Sequence, residues 1–498
     1  MMWHFSEVFT IKGDLMLHIL VIAIVLVLLA VILIRTARFT SRQIEVEPAP
    51  DIPLNGEEAA RHLSGALQFK TISYQDPAQF DKETFQNLHK YLEKTFPEAH
   101  ATLEKEVVSD YSLLYTWKGT NEQLNPILLM AHLDVVPVEK GTEPQWTYPP
   151  FEGAIKEGYI WGRGSMDIKE GVLGILEAVE TLLKDGFNPD KTIYLAFGHD
   201  EEVGGRNGAS NIAALLKSRG VSLEYVLDEG GSITKGVVPG VSVPVALVGA
   251  AEKGYISLEL TVKAKGGHSS IPPKDTALGI LSAAIYRLEE NRPPGRLQKT
   301  VRQLFEYVGP EMSFARKLVF ANLWLFGALV KRQLAQSPET DALIRTTTAP
   351  TIVEGGTKEN VLPRKVRAVV NFRILPGDTT ENVINRAREI INDPRVEIAI
   401  LEQKWEPSPI SDTTSESFIT LQKTVRQIFP GTVVAPYLVT GATDSRYYAV
   451  LTDNVFKFVP LMVTPRDLSR AHGIDERIGV EDFRKCITFF IQLICNSM

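Results

Sequence analysis

The stretch Met130-Ala131-His132-Leu133-Asp134 decides the fold of this 498-residue chain. Residues 127–130 form a short apolar run that predicts a buried strand, so the imidazole and the carboxylate leave its carboxyl end. A second apolar run, residues 193–197, leads straight into Gly198-His199-Asp200-Glu201-Glu202. Open α/β sheets build their sites at the carboxyl ends of strands. The two segments therefore predict an α/β fold whose mostly parallel central sheet delivers these side chains to one edge.

The residue types at this edge are those of metal-assisted hydrolysis. A Gly-rich turn, Gly162-Arg163-Gly164-Ser165-Met166-Asp167, adds a further carboxylate. Histidine nitrogens and carboxylate oxygens are ligands that zinc takes in proteins. Because Glu201 and Glu202 are adjacent, one can bind metal while the other acts as the general base. Asp134, two residues after His132, could hold the second nitrogen of that imidazole.

Length and composition narrow the class of protein. A chain of 498 residues is too long for one ordinary core, so we expect two folded domains. A content of 44% hydrophobic and 23% charged residues is typical of globular proteins, and the net charge of −7 argues against a nucleic-acid partner. The two cysteines, Cys486 and Cys495, would point to opposite sides of a helix and cannot pair there.

The N-terminal region predicts a membrane anchor. Residues 15–34 contain one residue, His18, that is not apolar, and twenty such residues can cross a hydrocarbon core as a helix. The preceding flank, residues 1–14, is not basic, which favours a retained single-pass anchor over a cleaved signal or a buried core helix. By the positive-inside rule the side that follows would be cytoplasmic, because it begins with Arg35, Arg38 and Arg42.

The pattern along the chain predicts a domain inserted into another. Residues 35–54 are Pro-rich and acidic and predict an extended linker. Residues 55–246 and 379–498 would form the catalytic domain, and residues 247–378, where strands alternate as in antiparallel sheets, the inserted domain. Within the insert, the apolar residues 318–334 favour a lid core or a subunit contact; a surface for an acyl chain or a membrane is the alternative.

Taken in order, the motifs from residue 55 to residue 495 resemble those of the aminoacylase and carboxypeptidase S family of two-zinc metallohydrolases. Within that family the likeness is greatest to members that act on N-fatty-acyl amino acids. The motifs are Met130-Ala-His-Leu-Asp134-Val-Val-Pro, Gly162-Arg-Gly-Ser-Met-Asp167, Gly198-His-Asp-Glu-Glu202, Leu227-Asp-Glu-Gly-Gly231, Gly267-His-Ser-Ser-x-Pro-Pro273, Arg345-Thr-Thr-Thr348, Thr443-Asp-Ser-Arg446 and Arg470-Ala-His-Gly473. The resemblance implies a zinc-peptidase-type catalytic domain with an inserted α+β lid and dimerisation domain.

The resemblance also implies a set of metal ligands for two Zn²⁺ per subunit. Asp167 would bridge the two ions. His132 and Asp228 would complete one site, although Glu229 beside Asp228 could take the ligand role instead. The second site would be completed by Glu202 and His472.

Catalytic roles follow from the same motifs. Glu201 would be the base that deprotonates the attacking water and later protonates the leaving nitrogen. Asp134 would orient His132. His268 matches the family's oxyanion-stabilising histidine, which a partner subunit often supplies, so the resemblance implies a homodimer.

Residues that match the family's substrate site come later in the chain. Arg373 and Asn360 match positions that hold the free carboxylate of the substrate, a task that suits a guanidinium fork. Asp444 and Arg446 match a turn near the site, and we assign them no role from the sequence.

These inferences predict a zinc-dependent hydrolase of the amide bond in N-acyl amino acids, with long fatty acyl chains favoured, that also runs in the direction of condensation. One alternative is a carboxypeptidase S-like metallopeptidase that releases C-terminal residues from short peptides. The other is a catalytically dead, membrane-tethered binding protein. The partners expected are a small-molecule substrate and the membrane. The resemblance itself implies a secreted or lumenal enzyme, so the side of the membrane stays open.

Overall fold

A ten-stranded and a four-stranded β-sheet, with two smaller sheets of three and two strands, form the fold. They are seen in a computed structural model that describes the backbone of residues 3–498 and the side chains of residues 16–498. The predicted flank of residues 1–14 therefore lies outside the described side chains. The helices are α1 (Trp3–Arg38), α2 (Gly56–Leu67), α3 (Lys82–Thr95), α4 (Pro97–Thr102), α5 (Lys169–Lys184), α6 (Ala209–Ser218), α7 (Ala277–Glu290), α8 (Lys299–Val308), α9 (Phe314–Ala321), α10 (Leu323–Leu334), α11 (Pro338–Ile344), α12 (Thr380–Ile391), α13 (Glu416–Ile428) and α14 (Val480–Ser497).

The strands are β1 (Glu104–Val108), β2 (Ser112–Trp117), β3 (Ile127–His132), β4 (Ile155–Lys156), β5 (Tyr159–Trp161), β6 (Ile193–Gly198), β7 (Tyr225–Asp228), β8 (Ile233–Thr234), β9 (Val245–Glu252), β10 (Gly254–Lys263), β11 (Gly267–His268), β12 (Thr347–Gly355), β13 (Val361–Leu362), β14 (Lys365–Ile374), β15 (Val396–Trp405), β16 (Val433–Val439), β17 (Val455–Lys457), β18 (Met462–Val463) and β19 (Arg477–Gly479). Two 3-10 helices also matter for the site, Glu201–Val203 and Asp444–Val450.

The large sheet has ten strands and confirms the predicted α/β class. Its order is β1-β2-β6-β3-β7-β17-β9-β8-β18, with β16 added beside β9. At its centre β6, β3, β7 and β17 are parallel. Leu129 and Ala131 of β3 face one core, while Leu128 and Met130 face another on the opposite side. A strand with helices over both faces must be apolar throughout, which explains the continuous apolar run in the sequence.

The small sheet has the order β12-β14-β10-β15 and is antiparallel. Ile256, Leu258, Leu260 and Val262 of β10 alternate toward a separate core, which α7 and α12 cover on one face. The alternation predicted for this part of the chain is confirmed. The mostly parallel large sheet and this α+β unit together are the predicted architecture.

Packing places the limits of the small unit differently from the predicted insert of residues 247–378. β9 belongs to the large sheet, and Val301 of α8 and Val330 of α10 join the large core. Helix α12 and strand β15, which lie beyond residue 378, pack on the small sheet instead. A change of periodicity marks where strands become antiparallel, but it does not tell which of two cores a helix will cover.

The apolar N-terminal helix projects from the rest of the chain. Residues Met16–Arg38 are long and apolar enough to cross a membrane, and 6% of the apolar window is buried. A buried core helix is therefore the wrong interpretation of this segment. Length and composition are compatible both with an anchor and with a signal sequence.

The predicted linker is extended but bound to the large unit. The Gln43 side chain donates to Val434 O (2.9 Å) and accepts from Val434 N (2.8 Å), so it continues the edge of β16. Further along, Ala49 N donates to Gln427 O at the end of α13 (3.1 Å). The segment thus connects α1 to the catalytic unit through fixed contacts and not as a free spacer.

Candidate metal centre

The carboxyl ends of the central parallel strands lie side by side. His132 is the last residue of β3 and is paired in register with Gly198 at the end of β6. Strand β7 pairs with the other side of β3 and leads into Asp228-Glu229. Because parallel strands end at the same edge, residues that are far apart in sequence meet there.

Asp167 lies between two imidazoles. Its Oδ1 is 3.3 Å from His132 Nε2, and its Oδ2 is 2.9 Å from His472 Nε2. The carboxylate thus presents one oxygen to each histidine. One carboxylate thus connects the two imidazoles.

Further carboxylates complete a group around each imidazole. Glu229 Oε1 is 3.3 Å from His132 Nε2, and Glu202 Oε2 is 3.3 Å from His472 Nε2. Ligand atoms of His132, Asp167 and Glu202 all lie within 4.8 Å of one another, as do those of His132, Glu201 and Glu229. Nitrogen and carboxylate donors at such distances fit zinc or a similar divalent ion.

Of the two neighbouring acids, Glu229 and not Asp228 lies beside His132. The buried Asp228 carboxylate accepts a hydrogen bond from Ser445 N (2.9 Å), which directs it toward the turn at Asp444. Successive residues at a strand end point to opposite sides, and Glu229 is the one that points to His132.

Asp134 holds two parts of the centre in place. Its backbone carbonyl is 2.9 Å from His132 Nδ1, and its carboxylate Oδ1 lies 3.4 Å from the same nitrogen. The carboxylate accepts from the backbone N–H groups of Glu201 and Glu202, each at 3.1 Å, and from Ser73 Oγ at 2.7 Å. Asp134 therefore contacts the second nitrogen of the imidazole and also holds the turn that carries the adjacent glutamates.

An ion pair that the sequence did not reveal joins the loops of Asp167 and His472. Glu476 accepts from Arg163 Nη1 (2.5 Å) and from the backbone N–H groups of Gly164, Met166 and Asp167. Arg163 also donates to the His472 carbonyl (3.1 Å). His472 has a φ of 59°, which is unfavourable for a residue other than glycine, so these bonds hold it in a conformation it would otherwise avoid.

The electrostatics of the centre favour bound cations. Burial and the neighbouring Asp167 charge raise the pKa of Glu229 to about 8. Burial, followed by the charge of Asp444, raises the pKa of Glu201 well above its usual range. Hydrogen bonds to Asp167 and Glu202 raise the pKa of His472 to about 10. Glu202 Oε1 is buried without a hydrogen-bond partner among the described residues. Crowded acids with a free buried oxygen are what a divalent cation would satisfy.

The pattern of peptidase family M20/M25/M40 matches residues 128–496, which include every residue of this centre. The chain belongs to this family. It is a metal-dependent hydrolase.

Among relatives of this M20 chain, the probable carboxypeptidase S-like 2 of Dictyostelium discoideum is 44% identical over 480 residues, covering 94% of this chain and 92% of that protein. The N-fatty-acyl-amino acid synthase/hydrolase PM20D1 of Xenopus tropicalis is 43% identical over 394 residues, covering 79% and 76%. The M20 family metallo-carboxypeptidase Sso-CP2 of Sulfolobus solfataricus matches with a TM-score of 0.65 and 18% identity, covering 88% of this chain and 98% of that one. At that identity the structural likeness shows the fold alone.

The M20 chain brings Arg373 and Arg446 to one flank of the centre through a column of stacked rings. The Arg373 guanidinium lies 4.9 Å from the Tyr255 ring, which stacks on Trp405 at 4.6 Å and 15°. Arg446 covers the opposite side of Trp405 and Tyr447 the far side of Arg446, each ring 4.6 Å from the guanidinium carbon. The column thus connects the small sheet to the 3-10 helix Asp444–Val450.

This column borders a cleft of about 280 Å³ that also touches Gly204 and Arg206. Arg446 Nη2 donates to Gly204 O (2.6 Å), two residues after Glu202. Asp444 is buried with both carboxylate oxygens unpartnered among the described residues, and burial raises its pKa. Gly205 has a φ of 63°, and a Cβ there would lie 1.8 Å from Asp444 Oδ1, so only glycine fits.

His268 and Asn360 lie elsewhere in the M20 chain. His268 is exposed on the hairpin of β11 and β13, where its Nδ1 accepts from Ser270 N (3.1 Å). Asn360 accepts from Ser269 N through its backbone carbonyl (3.1 Å). Among the described residues no contact joins either side chain to the carboxylate cluster. Their predicted roles at the substrate therefore need a contribution from a second chain or a movement of the small sheet.

The functional residues that sequence reasoning missed are Glu476, Tyr255 and Trp405. A signal for Glu476 was present, since it follows His472 by four residues. The two aromatic residues gave none, because their stack joins strands β10 and β15 with no shared motif.

Proposed function

We propose that this M20 hydrolase cleaves the amide bond of N-acyl amino acids, with long fatty acyl chains favoured, and also catalyses the reverse condensation. The observation that carries the proposal is Asp167 shared between two imidazoles with Glu201 beside them. The likeness to N-fatty-acyl-amino acid synthase/hydrolases supports the acyl substrate. Because a catalyst lowers both barriers equally, the concentrations of fatty acid and amino acid set the net direction.

The donor set supports two Zn²⁺ per subunit. His132 and Glu229 would hold one ion, His472 and Glu202 the other, and Asp167 both. When bound, the metal polarises the amide carbonyl and lowers the pKa of water at the site.

Glu201 is the general base in this proposal. It takes a proton from the attacking water and delivers it to the nitrogen of the leaving amino acid. Asp134 keeps the Glu201 backbone in position throughout.

The carboxylate of the substrate binds to Arg373, whose guanidinium lies over the Tyr255 ring at one end of the column. A guanidinium can donate two parallel hydrogen bonds to a carboxylate, and this selects amides beside a free acid group. His268 would stabilise the oxyanion, and Asn360 beside it would assist at the carboxylate. Because both lie on an exposed hairpin, we propose that a homodimer brings the hairpin of one subunit to the centre of the other.

We further propose that α1 anchors the protein in a membrane as a single-pass helix. Most apolar side chains in the described part of the helix are exposed, as they would be in lipid, and Ile32 is the buried exception among them. We also propose that residues 55–246 and 379–498 form the catalytic domain and that a second unit is inserted between them. The inserted unit is defined by the small sheet and the helices that pack on it.

The first experiment compares the release of phenylalanine from N-oleoyl- and N-acetyl-phenylalanine by the full-length, detergent-solubilised protein, with and without a chelator. We expect chelator-sensitive preference for the oleoyl compound. Preference for the acetyl compound, or no turnover of either, would contradict the acyl-chain proposal. Dipeptides would then be assayed for the alternative, a carboxypeptidase of short peptides, which the likeness to carboxypeptidase S-like 2 supports.

The third interpretation, a binding protein without activity, does not agree with family membership or with the grouped ligands. Zinc binding without turnover of any amide would restore it.

A further inference from the structure

The C-terminal end of α1 packs on the helices α9 and α10. Of the described α1 side chains, Ile32 (7% exposed) and Thr36 (1%) are buried, one turn apart on the same face. Asn322, between α9 and α10, donates to Ile32 O (3.3 Å) and to Thr36 Oγ1 (3.2 Å). Arg35 Nε donates to Ala321 O (3.3 Å). These hydrogen bonds hold α9 and α10 against α1.

An apolar groove lies above this contact. Its volume is about 390 Å³, and its lining consists of Trp324 on α10 and the α1 residues Ala23, Ile24, Val27, Leu28 and Val31. Trp324 is 54% exposed and its Nε1 donates to Asn322 Oδ1 (3.2 Å), so the polar edge of the ring is satisfied while its apolar face is open. A large exposed apolar surface of this kind marks a contact with another molecule or with lipid.

The position of Trp324 along α1 decides the nature of that contact. Ala23 precedes Arg35 by twelve residues, which is about 18 Å at the rise of an α-helix. A hydrocarbon core is about 30 Å thick, so a groove that reaches Ala23 extends well into it if α1 spans the bilayer. Basic residues follow the apolar residues on both helices, Arg35 and Arg38 on α1, Lys331 and Arg332 on α10, as at a boundary with lipid headgroups.

We propose that α9 and α10 are a second membrane-contacting element, inserted into the bilayer beside α1, and that phospholipid acyl chains fill the groove at Trp324. The inference rests on the proposed anchoring by α1. It implies that α1, the helices α9 and α10, and the bound segment of residues 43–49 together hold the catalytic unit against the membrane surface in a fixed orientation.

The experiment attaches an environment-sensitive fluorophore at position 324 in the full-length protein. Trp324→Cys is labelled in a Cys495→Ser background, since Cys486 is buried. Val353→Cys is the matched control, because Val353 on β12 is 58% exposed and lies on the small sheet. Both proteins are reconstituted into vesicles of phosphatidylcholine and phosphatidylglycerol with ordinary or brominated acyl chains. Retained amide hydrolysis verifies that each variant is folded.

We expect brominated chains to quench most of the fluorescence at position 324 and to leave that at position 353 unchanged. Membrane-bound protein with no quenching at position 324 would overturn the inference alone. A probe that is shielded from water but not quenched would overturn it in favour of a protein occupant, such as a second copy. Recovery of the full-length protein away from the vesicles would overturn both the inference and the proposed anchoring. Absence of hydrolysis by the unlabelled parent would contradict the proposed activity and not the inference.

Discussion

Glu201 and Glu202 are neighbours in sequence with different surroundings. Glu202 faces His472 at 3.3 Å, while Glu201 lies in the group with His132 and Glu229. Both backbone N–H groups are held by the Asp134 carboxylate, so the two side chains leave one rigid turn in different directions. Two similar acids can thus serve as base and as ligand.

Glu201→Gln is expected to keep its metal and to lower kcat by about 10²–10⁴, because the amide cannot accept the proton of the attacking water. The measurement is steady-state hydrolysis together with metal content by mass spectrometry. Glu202→Gln is the matched variant and should lose metal. A Glu201→Gln enzyme with near-normal kcat would remove Glu201 from the role of base.

A second comparison of neighbours concerns Glu229 and Asp228. We expect Glu229→Gln to bind clearly less metal after dialysis, since its carboxylate lies beside His132. Asp228→Asn should keep most of its metal, because its carboxylate contacts Ser445 N instead. The reverse order of metal contents would return Asp228 to the ligand set.

At the scale of elements, the ring column connects β14, β10 and β15 with the 3-10 helix Asp444–Val450. Each cation–π or ring contact contributes about 0.5–2 kcal/mol, and the ring that Arg373 contacts, Tyr255, is itself supported by its stack on Trp405. The column also lies between the two sheets, so it is a contact between units as well as a support for the substrate arginine.

Trp405→Ala is expected to raise KM about tenfold with a smaller effect on kcat, because Arg373 loses the support of the column. Trp405→Phe keeps a ring at that position and should remain close to the parent enzyme. Arg373→Ala, which removes the guanidinium itself, should raise KM more steeply than either. An unchanged KM in Trp405→Ala would show that the column does not position Arg373.

The junction of β9 and β10 carries a buried lysine that makes stability depend on pH. Lys253 Nζ donates to Ala342 O and Arg345 O, each at 2.9 Å, and burial together with the Arg373 charge lowers its pKa from 10.5 to about 7. Between these values the unfolded chain holds a proton that the folded chain has released. Stability from this group therefore rises with pH over this interval and is lost as pH falls toward 7.

The melting temperature of Lys253→Met should consequently rise less from pH 7 to pH 10 than that of the parent protein. Lys265→Met, which removes an exposed lysine two residues beyond β10, is the control and should follow the parent. Equal pH dependence in all three proteins would show that Lys253 is not the group responsible.

At the scale of the whole molecule, an apolar helix, a bound extended segment and the helices α9 and α10 all lie on one side of the catalytic unit. Arg42 pairs with Glu306 at 2.8 Å and covers the Tyr307 ring, so the chain is attached to α8 directly after α1. Helix α1 and the catalytic unit are thus parts of one packed structure.

Alkaline carbonate washing of membranes that contain the full-length protein should leave it in the pellet, because a spanning helix is not removed by disrupting polar contacts. The measurement is the distribution between pellet and supernatant, with the mass of the chain checked for cleavage. A peripheral membrane protein in the same sample should appear in the supernatant. Full-length protein found there as well would contradict anchoring by α1.

The sequence by itself determined the α/β class and indicated that His132, Asp167, Glu201 and Glu202 lie at strand or turn ends, whereas His472 entered only through the resemblance of its motif to a family. His132, Glu201 and Glu202 were readable because apolar runs of strand length end directly in polar residues, so periodicity along the chain gives both the strand and the place of these side chains. It also identified the apolar helix, for which length and composition suffice.

Only the tertiary structure showed that Glu229 faces His132 while Asp228 faces Ser445, since two adjacent residues at a strand end differ by direction and not by pattern. The same holds for Glu476 and for the ring column, whose partners come from separate segments. The limits of the small unit were likewise set by packing, because α8 and α12 are both amphipathic and the sequence does not state which core each will cover. Contacts between distant segments depend on how the two sheets are placed relative to each other, and local periodicity carries no information on that placement.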